Sequence, residues 1–204
     1  MGAPAGLARA LALRFVAAGA AIGLTTATGD GAEAFELQRA GRAVEGTGAR
    51  CLVESLDMAN GSAVQVTVRQ VAKALGRIDL LVAAPDLALA RPAERLSDGE
   101  WSRVINGNLG AVFYACRGVA REMFRLEPDA SGRRGRIVVM TRPVSSEDGA
   151  AYRAARAGVE GLVGALAREW ADRGVEVVLA AMDAEEDEAA MAERVFELAQ
   201  ARPK

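Results

Sequence analysis

Residues 135–179 read GRIVVMTRPVSSEDGAAYRAARAGVEGLVGALAREWADRGVEVVL. Ile137 to Thr141 is a β-branched run of strand length. Ala150 to Ala171 places Val159, Leu162, Val163, Leu166 and Trp170 at helical spacing. Val175 to Leu179 is a second strand-like run. Strand, helix and strand in this order predict a βαβ unit, whose right-handed crossover leaves the two strands parallel.

The same rhythm extends outward from this unit. Towards the N-terminus, Ser97 opens a long helical stretch to about Leu126, with Ser97-Asp98-Gly99-Glu100 as a capping box. Ile78 to Ala84 is an apolar strand. Asn60 caps a helix that runs to Leu75 and stops at Gly76. Arg50 to Leu56 is a strand, Ala32 to Glu45 a helix ended by Gly46-Thr47-Gly48, and Ala20 to Thr25 a short strand. The first helix spans Gly6 to Ala18, with Leu7, Leu11, Phe15 and Val16 on one side. Towards the C-terminus, Glu185 to Ala201 is a helix with an acidic first turn, which suits the helix dipole. The pattern predicts one α/β domain over residues 1–204, a three-layer doubly wound parallel sheet covered on both faces.

Composition narrows the function. The formal charge is −2 over 204 residues, with 25 Lys and Arg against 27 Asp and Glu. That balance argues against nucleic-acid binding, which needs a concentrated basic face. Arg133, Arg134 and Arg136 form the one basic cluster, expected in a solvated loop before a strand. There is no histidine, so the commonest general base and metal ligand is missing. Cys51 and Cys116 lie in apolar runs and are expected to be small buried residues, neither a disulfide framework nor a metal site. No apolar run reaches the roughly 18 residues needed to span a bilayer. No leader pattern opens the chain, and a cytoplasmic location is expected.

Several segments resemble, in order, the short-chain dehydrogenase/reductase family, and β-ketoacyl carrier-protein reductases in particular. Gly2-Ala3-Pro4-Ala5-Gly6-Leu7-Ala8 resembles the glycine loop that brings backbone close to a pyrophosphate at a helix N-terminus. Asp57-Met58 resembles the pair that contacts adenine. Trp101 to Leu109 resembles the stretch bearing a catalytic Asn, here Asn108. Gly135 to Met140 resembles the strand leading to the catalytic Ser, and Tyr152-Arg153-Ala154-Ala155-Arg156 the YxxxK helix. The resemblance implies a Rossmann-like fold, a bound NADP or NAD, and hydride transfer to or from a carbonyl. It implies Tyr152, Arg156 and Asn108 as catalytic positions, with Gly2, Gly6, Asp57 and Met58 at the cofactor.

The departures from the family pattern concern chemistry. Arg156 replaces the Lys that lowers the Tyr pKa. It keeps the charge but cannot release a proton near neutral pH; it also reads as an ordinary solvated or interface arginine. Thr141-Arg142 stands where the family has Ser-Ser, putting Arg142 in the catalytic place. Ser145 and Ser146 are substitutes or plain loop serines. Ala83-Ala84-Pro85-Asp86 replaces the family's NNAG and puts a carboxylate on the cofactor's path. Met182-Asp183 replaces PG. Thr26-Ala27-Thr28 offers neither an acid for an NAD ribose nor an Arg for an NADP phosphate. Ala8 replaces the third glycine. The sequence opens at the glycine loop, so the family's first strand is expected either to be absent or to lie upstream of this start; its last strand and substrate-covering loop have no counterpart, and the acidic run 183–188 reads as a solvated helix start.

Family members pair through the two helices that correspond here to residues 97–126 and 150–171. A kept interface with a lost site implies a catalytically impaired partner of a second subunit of the same family. One alternative is an active ketoreductase on an acyl-carrier, acyl-CoA or polyketide carbonyl, using Tyr152 and Arg156. Another is a dinucleotide-sensing scaffold without turnover.

Overall fold

The computed structural model describes residues 1–182 and 186–201. The elements alternate: α1 (Ala5–Val16), β1 (Ile22–Thr25), α2 (Gly31–Glu45), β2 (Cys51–Glu54), α3 (Gly61–Leu75), β3 (Leu80–Ala83), α4 (Asp98–Ile105), α5 (Ala111–Met123), β4 (Gly135–Thr141), α6 (Ala150–Trp170), β5 (Val175–Ala181) and α7 (Glu188–Gln200). Every strand ladder is parallel. A single antiparallel bridge joins Thr28 to Asp57 outside the strands.

β4 sets the layering. All seven of its residues are buried, as expected for a strand covered on both faces. Ile137 and Val139 pack with Val68 of α3, Val112 of α5 and Val159 of α6; Val138 and Met140 pack with Leu11 of α1 and Val195 of α7. Period-two alternation along one strand thus feeds two separate apolar layers. Each fully buried aliphatic side chain contributes roughly 1.5–3 kcal/mol.

The parallel sheet comes in two pieces, β1–β2 and β3–β4–β5. Among the described residues no strand lies between β1 and β3; a cavity of about 440 Å³ lies there, lined by residues of both. Met1 and Gly2 bridge one end of it. The Met1 ammonium donates to the Val82 carbonyl (2.5 Å). Ala84 N–H donates to the Met1 carbonyl and Gly2 N–H to the Thr25 carbonyl, both at 3.1 Å.

The predicted caps form. Asn60 accepts from the N–H groups of Ser62 and Ala63, and Ser97 with Glu100 completes the capping box. The long helix expected from Ser97 to about Leu126 also forms, running from Asp98 to Met123 with one π-helical turn at 106–110 between α4 and α5. Within that turn the Asn108 side chain bonds backbone groups of Leu87 and Val104. Arg136 also departs from expectation. It is a residue of β4 rather than of a solvated loop, 5% exposed. It pairs with Glu176 of β5 and donates to the carbonyls of Leu198 and Ala201 at the end of α7. Burial is tolerated because each face of the guanidinium has an acceptor. Cys116 is buried and Cys51 half-buried. The expected start of the last helix at Glu185 lies outside the described residues, as does Asp183. Among the described residues no helix is long and apolar enough to cross a membrane, and no group of three or more His, Cys, Asp or Glu could hold a metal ion.

Candidate active site

Tyr152 lies in the first turn of α6 and is 4% exposed. The loop after β3 folds over it, with Leu89 and Leu96 packing on Val104, Ala151 and Tyr152. Its hydroxyl donates to Asp86 Oδ1 at 2.7 Å. Arg142, just past β4, lies over the ring, 4.3 Å from its centroid. The guanidinium bonds Asp86 (2.9 Å) and both oxygens of Asp148 (2.6 and 2.8 Å). Ser145 N–H adds a third bond to Asp148. Two carboxylates, one guanidinium and one phenol therefore satisfy one another.

This arrangement works against proton donation through a tyrosinate. Burial first, and the Asp86 carboxylate second, push the Tyr152 phenol above its ordinary value; Arg142 opposes them only in part. A tyrosine serving as general acid near neutral pH needs the opposite shift. Asp148, by contrast, is held at about 2, chiefly by its bonds to Arg142.

The other sequence candidates meet Tyr152 around a cavity of about 10 Å³, lined by Pro85, Asn108, Thr141, Tyr152 and Arg156 among others. That space is near the minimum for one water and far below any substrate. Asn108 is fully engaged with backbone: it accepts from Leu87 N–H and donates to the carbonyls of Leu87 and Val104. It ties the loop after β3 to the π-helical turn, so its role in these contacts is positioning. Arg156 donates to the Arg142 carbonyl (3.2 Å) and to Glu160 (3.1 Å). Its guanidinium is thus neither free in solvent nor bonded to Tyr152. Ser145 and Ser146 are exposed, and neither hydroxyl bonds Tyr152 among the described residues. The hydroxyl nearest in role is Thr141, buried and without a hydrogen-bond partner.

The expected cofactor positions do not form an open cradle. Gly2 takes a left-handed φ of +70°, and a Cβ there would meet Met58 Sδ at 2.6 Å. Met58 is therefore core, 0% exposed, rather than a surface for adenine. Asp57 turns its carboxylate back to Ala59 N–H (2.8 Å). At the N-terminus of α1, where a pyrophosphate would lie, a Cβ on Gly6 would collide with the Glu188 carboxylate. The loop after β1 spends its donors on Glu33: Ala27 N–H, Thr28 N–H and the Thr28 hydroxyl all reach that carboxylate. Two carboxylates thus stand at the phosphate and ribose positions. An acid beside the loop after β1 suits an NAD ribose, whereas the Glu188 carboxylate, as it stands, opposes an anionic pyrophosphate at the N-terminus of α1.

The family model for short chain dehydrogenase matches residues 1–194. The chain belongs to this short-chain dehydrogenase/reductase family. Among curated relatives, D-threitol dehydrogenase of Mycolicibacterium smegmatis is 35% identical over 179 residues, covering 86% of this chain and 65% of that enzyme. The 3-oxoacyl-(acyl-carrier-protein) reductase FabG of Vibrio harveyi is 31% identical over 179 residues, 86% of this chain and 68% of FabG. The chain thus spans about two thirds of the length of these reductases. A metagenomic short-chain oxidoreductase crystallised with NADP superposes with a TM-score of 0.80 at 26% identity, covering 96% of this chain and 86% of that one. A short-chain dehydrogenase from Rhodopseudomonas palustris, at 20% identity and a TM-score of 0.84, shares the fold.

Within that family frame, Glu33 and Asp148 are the site residues the sequence reading missed. Glu33 reads as an ordinary acid in a helix first turn. Ser145 and Asp148 close a turn ahead of α6, with Asp148 N–H donating to the Ser145 carbonyl and Ser145 N–H to the Asp148 carboxylate; the S-x-x-D spacing is the one local signal for Asp148.

Proposed function

We propose that this family member is a catalytically impaired partner subunit of a hetero-oligomeric ketoreductase or dehydrogenase. The observation that carries the reading is Tyr152: buried, donating to Asp86, and covered by the Arg142–Asp148 ion pair. The carboxylate of Glu188 at the pyrophosphate position points the same way, and NAD or NADP is held by the partner subunit. The docking face is the α4–α5 and α6 surface, helices 97–126 and 150–171 of the sequence reading. Trp101 and Phe113 are exposed there, and Gly161 has open space above it, so a partner helix could approach closely. The partner's substrate is an acyl-carrier or acyl-CoA carbonyl, a class supported by the names of two relatives, FabG and the human 3-hydroxyacyl-CoA dehydrogenase type-2. The test is co-expression with a family member encoded alongside it. A stable self-associated protein that gains neither solubility nor a bound relative would refute the assignment.

A second reading, an active ketoreductase, draws on the convergence of Asn108, Thr141, Tyr152 and Arg156 on one small cavity. It predicts NADPH oxidation with an acyl-thioester ketone that Tyr152→Phe abolishes. Equal rates for the two proteins would exclude Tyr152 chemistry, and no NAD(H) or NADP(H) binding at millimolar levels would remove any cofactor role for this chain.

A further inference from the structure

The first turn of α1 is short of negative charge. A helix N-terminus presents N–H groups without intrahelical partners and the positive end of the helix dipole. α1 has no acidic residue in that turn, and its N-cap, Pro4, makes no side-chain capping bond. Among the described residues, the N–H groups of Ala5, Gly6 and Leu7 have no hydrogen-bond partner.

The missing charge arrives from α7, which lies along α1. Phe15 packs on Phe196, with ring centroids 5.3 Å apart. The Arg14 guanidinium lies 3.3 Å from the centroid of the same ring and bonds the Glu193 carboxylate (2.9 Å). Ala192 and Val195 are buried with Leu7 and Leu11. The two helices run in the same direction, so the first turn of α7 meets the first turn of α1. Of the acids there, Asp187 caps α7 by accepting from Ala190 N–H (2.8 Å), and Glu186 is held by Arg194 (2.6 Å). Glu188 has no ion-pair partner among the described residues. Its carboxylate lies against Gly6, in the space that a Cβ there would fill.

We propose, resting on the reading that this chain leaves the dinucleotide to its partner, that Glu188 is a built-in counter-anion which stabilises α1 and closes its N-terminus to phosphate esters. The seat is filled from within rather than lost. A glycine in the first turn of a helix lets a pyrophosphate come close to the backbone; here it admits the Glu188 carboxylate instead. Carboxylate and phosphate draw on the same N–H groups and the same dipole, so the two anions exclude each other. Glu33, at the loop after β1, is untouched by this competition. Removing the charge of Glu188 therefore has two opposite effects: α1 becomes less stable, and its N-terminus becomes open to a phosphate ester.

Three proteins test this: the wild type, Glu188→Gln and Glu197→Gln. The first substitution keeps the shape of the side chain and removes its charge. The second makes the same change of net charge about 13 Å further along α7, beyond the screening length of about 8 Å at physiological salt. Calorimetric titration with NADH and with inorganic pyrophosphate reads the affinity, and thermal melts read the helix. Glu188→Gln should bind both ligands about tenfold or more tightly than the wild type, with Tm lower by about 1–4 °C. Glu197→Gln should bind as the wild type does. Equal affinities of Glu188→Gln and the wild type would overturn the proposal, and so would the absence of binding by Glu188→Gln at millimolar concentrations. An equal gain in Glu197→Gln would overturn it too, as a mere effect of net charge, and a Tm of Glu188→Gln at or above the wild type would overturn the role of Glu188 at α1. A wild-type chain that binds NADH at micromolar concentrations refutes the reading that the partner holds the cofactor; the ratio of the two affinities decides for Glu188 in either case.

Discussion

Arg142→Met removes one partner of a pair whose other member is nearly enclosed: the side chains are 26% exposed for Arg142 and 4% for Asp148. Breaking a buried ion pair from one side costs about 3–5 kcal/mol. The partial exposure of Arg142 and the Ser145 N–H that still reaches Asp148 bring the expected cost to about 2–3 kcal/mol. At about 2–4 °C per kcal/mol for a chain of this size, Tm falls by about 4–12 °C. Asp148→Asn alone costs a similar amount, and the double variant less than the sum, with a coupling of about 1–3 kcal/mol. The pair also has a pH signature. Asp148 in the folded protein is held at about 2 by Arg142, below its unfolded value of about 3.9. Its contribution is present above about pH 4 and disappears as pH falls towards 2. The Tm difference between wild type and Arg142→Met should shrink over that window. A cost under about 0.5 kcal/mol, a coupling of zero, or a difference independent of pH would refute the claim that this ion pair closes the site.

Asn108→Ala leaves two carbonyls and one N–H around the π-helical turn without their partner; unfolding in urea should show a loss of about 2–4 kcal/mol. Gly174 has a φ of +72°, and a Cβ there would run into the Gly132 carbonyl, so Gly174→Ala should cost about 1–3 kcal/mol in the same assay. Burial raises the thiols to about 11 at Cys51 and about 12 at Cys116. Mass spectrometry after iodoacetamide at pH 8 should therefore find both unmodified in the native protein and both alkylated in denaturant.

Helices and strands were legible because their apolar spacing is local. Ile137 to Thr141 and Val159 to Trp170 announce a strand and a helix whatever surrounds them, and Asn60 and Ser97 cap the helices their sequence context predicts. The π-helical turn at residues 106–110 was not legible, and the bonds that Asn108 makes there reach Leu87, 21 positions away. Arg136 was misplaced for a related reason: its acceptors come from β5 and from α7, 62 positions on. At the site, the sequence singled out Asp86, Arg142 and Tyr152 one by one as a carboxylate, a replacement and a retained tyrosine. That the first two neutralise each other over the third is a fact of tertiary geometry, spanning 66 residues between Asp86 and Tyr152. Glu188 over Gly6 likewise has no signature in local spacing, whereas Glu33 lies only five and six positions from the N–H groups of Thr28 and Ala27.

The grip of Arg136 on the end of α7 has a consequence for biosynthesis. Synthesis runs from the N-terminus, so the strand carrying this cation leaves the ribosome well before the carbonyls of Leu198 and Ala201 that solvate it. Until α7 emerges, Glu176 and water are the acceptors left to the guanidinium, since the helix that supplies the two carbonyls also covers that face of β4. The Arg136 side chain therefore reaches its final partners only when α7 docks, and that face of β4 stays open to water until then.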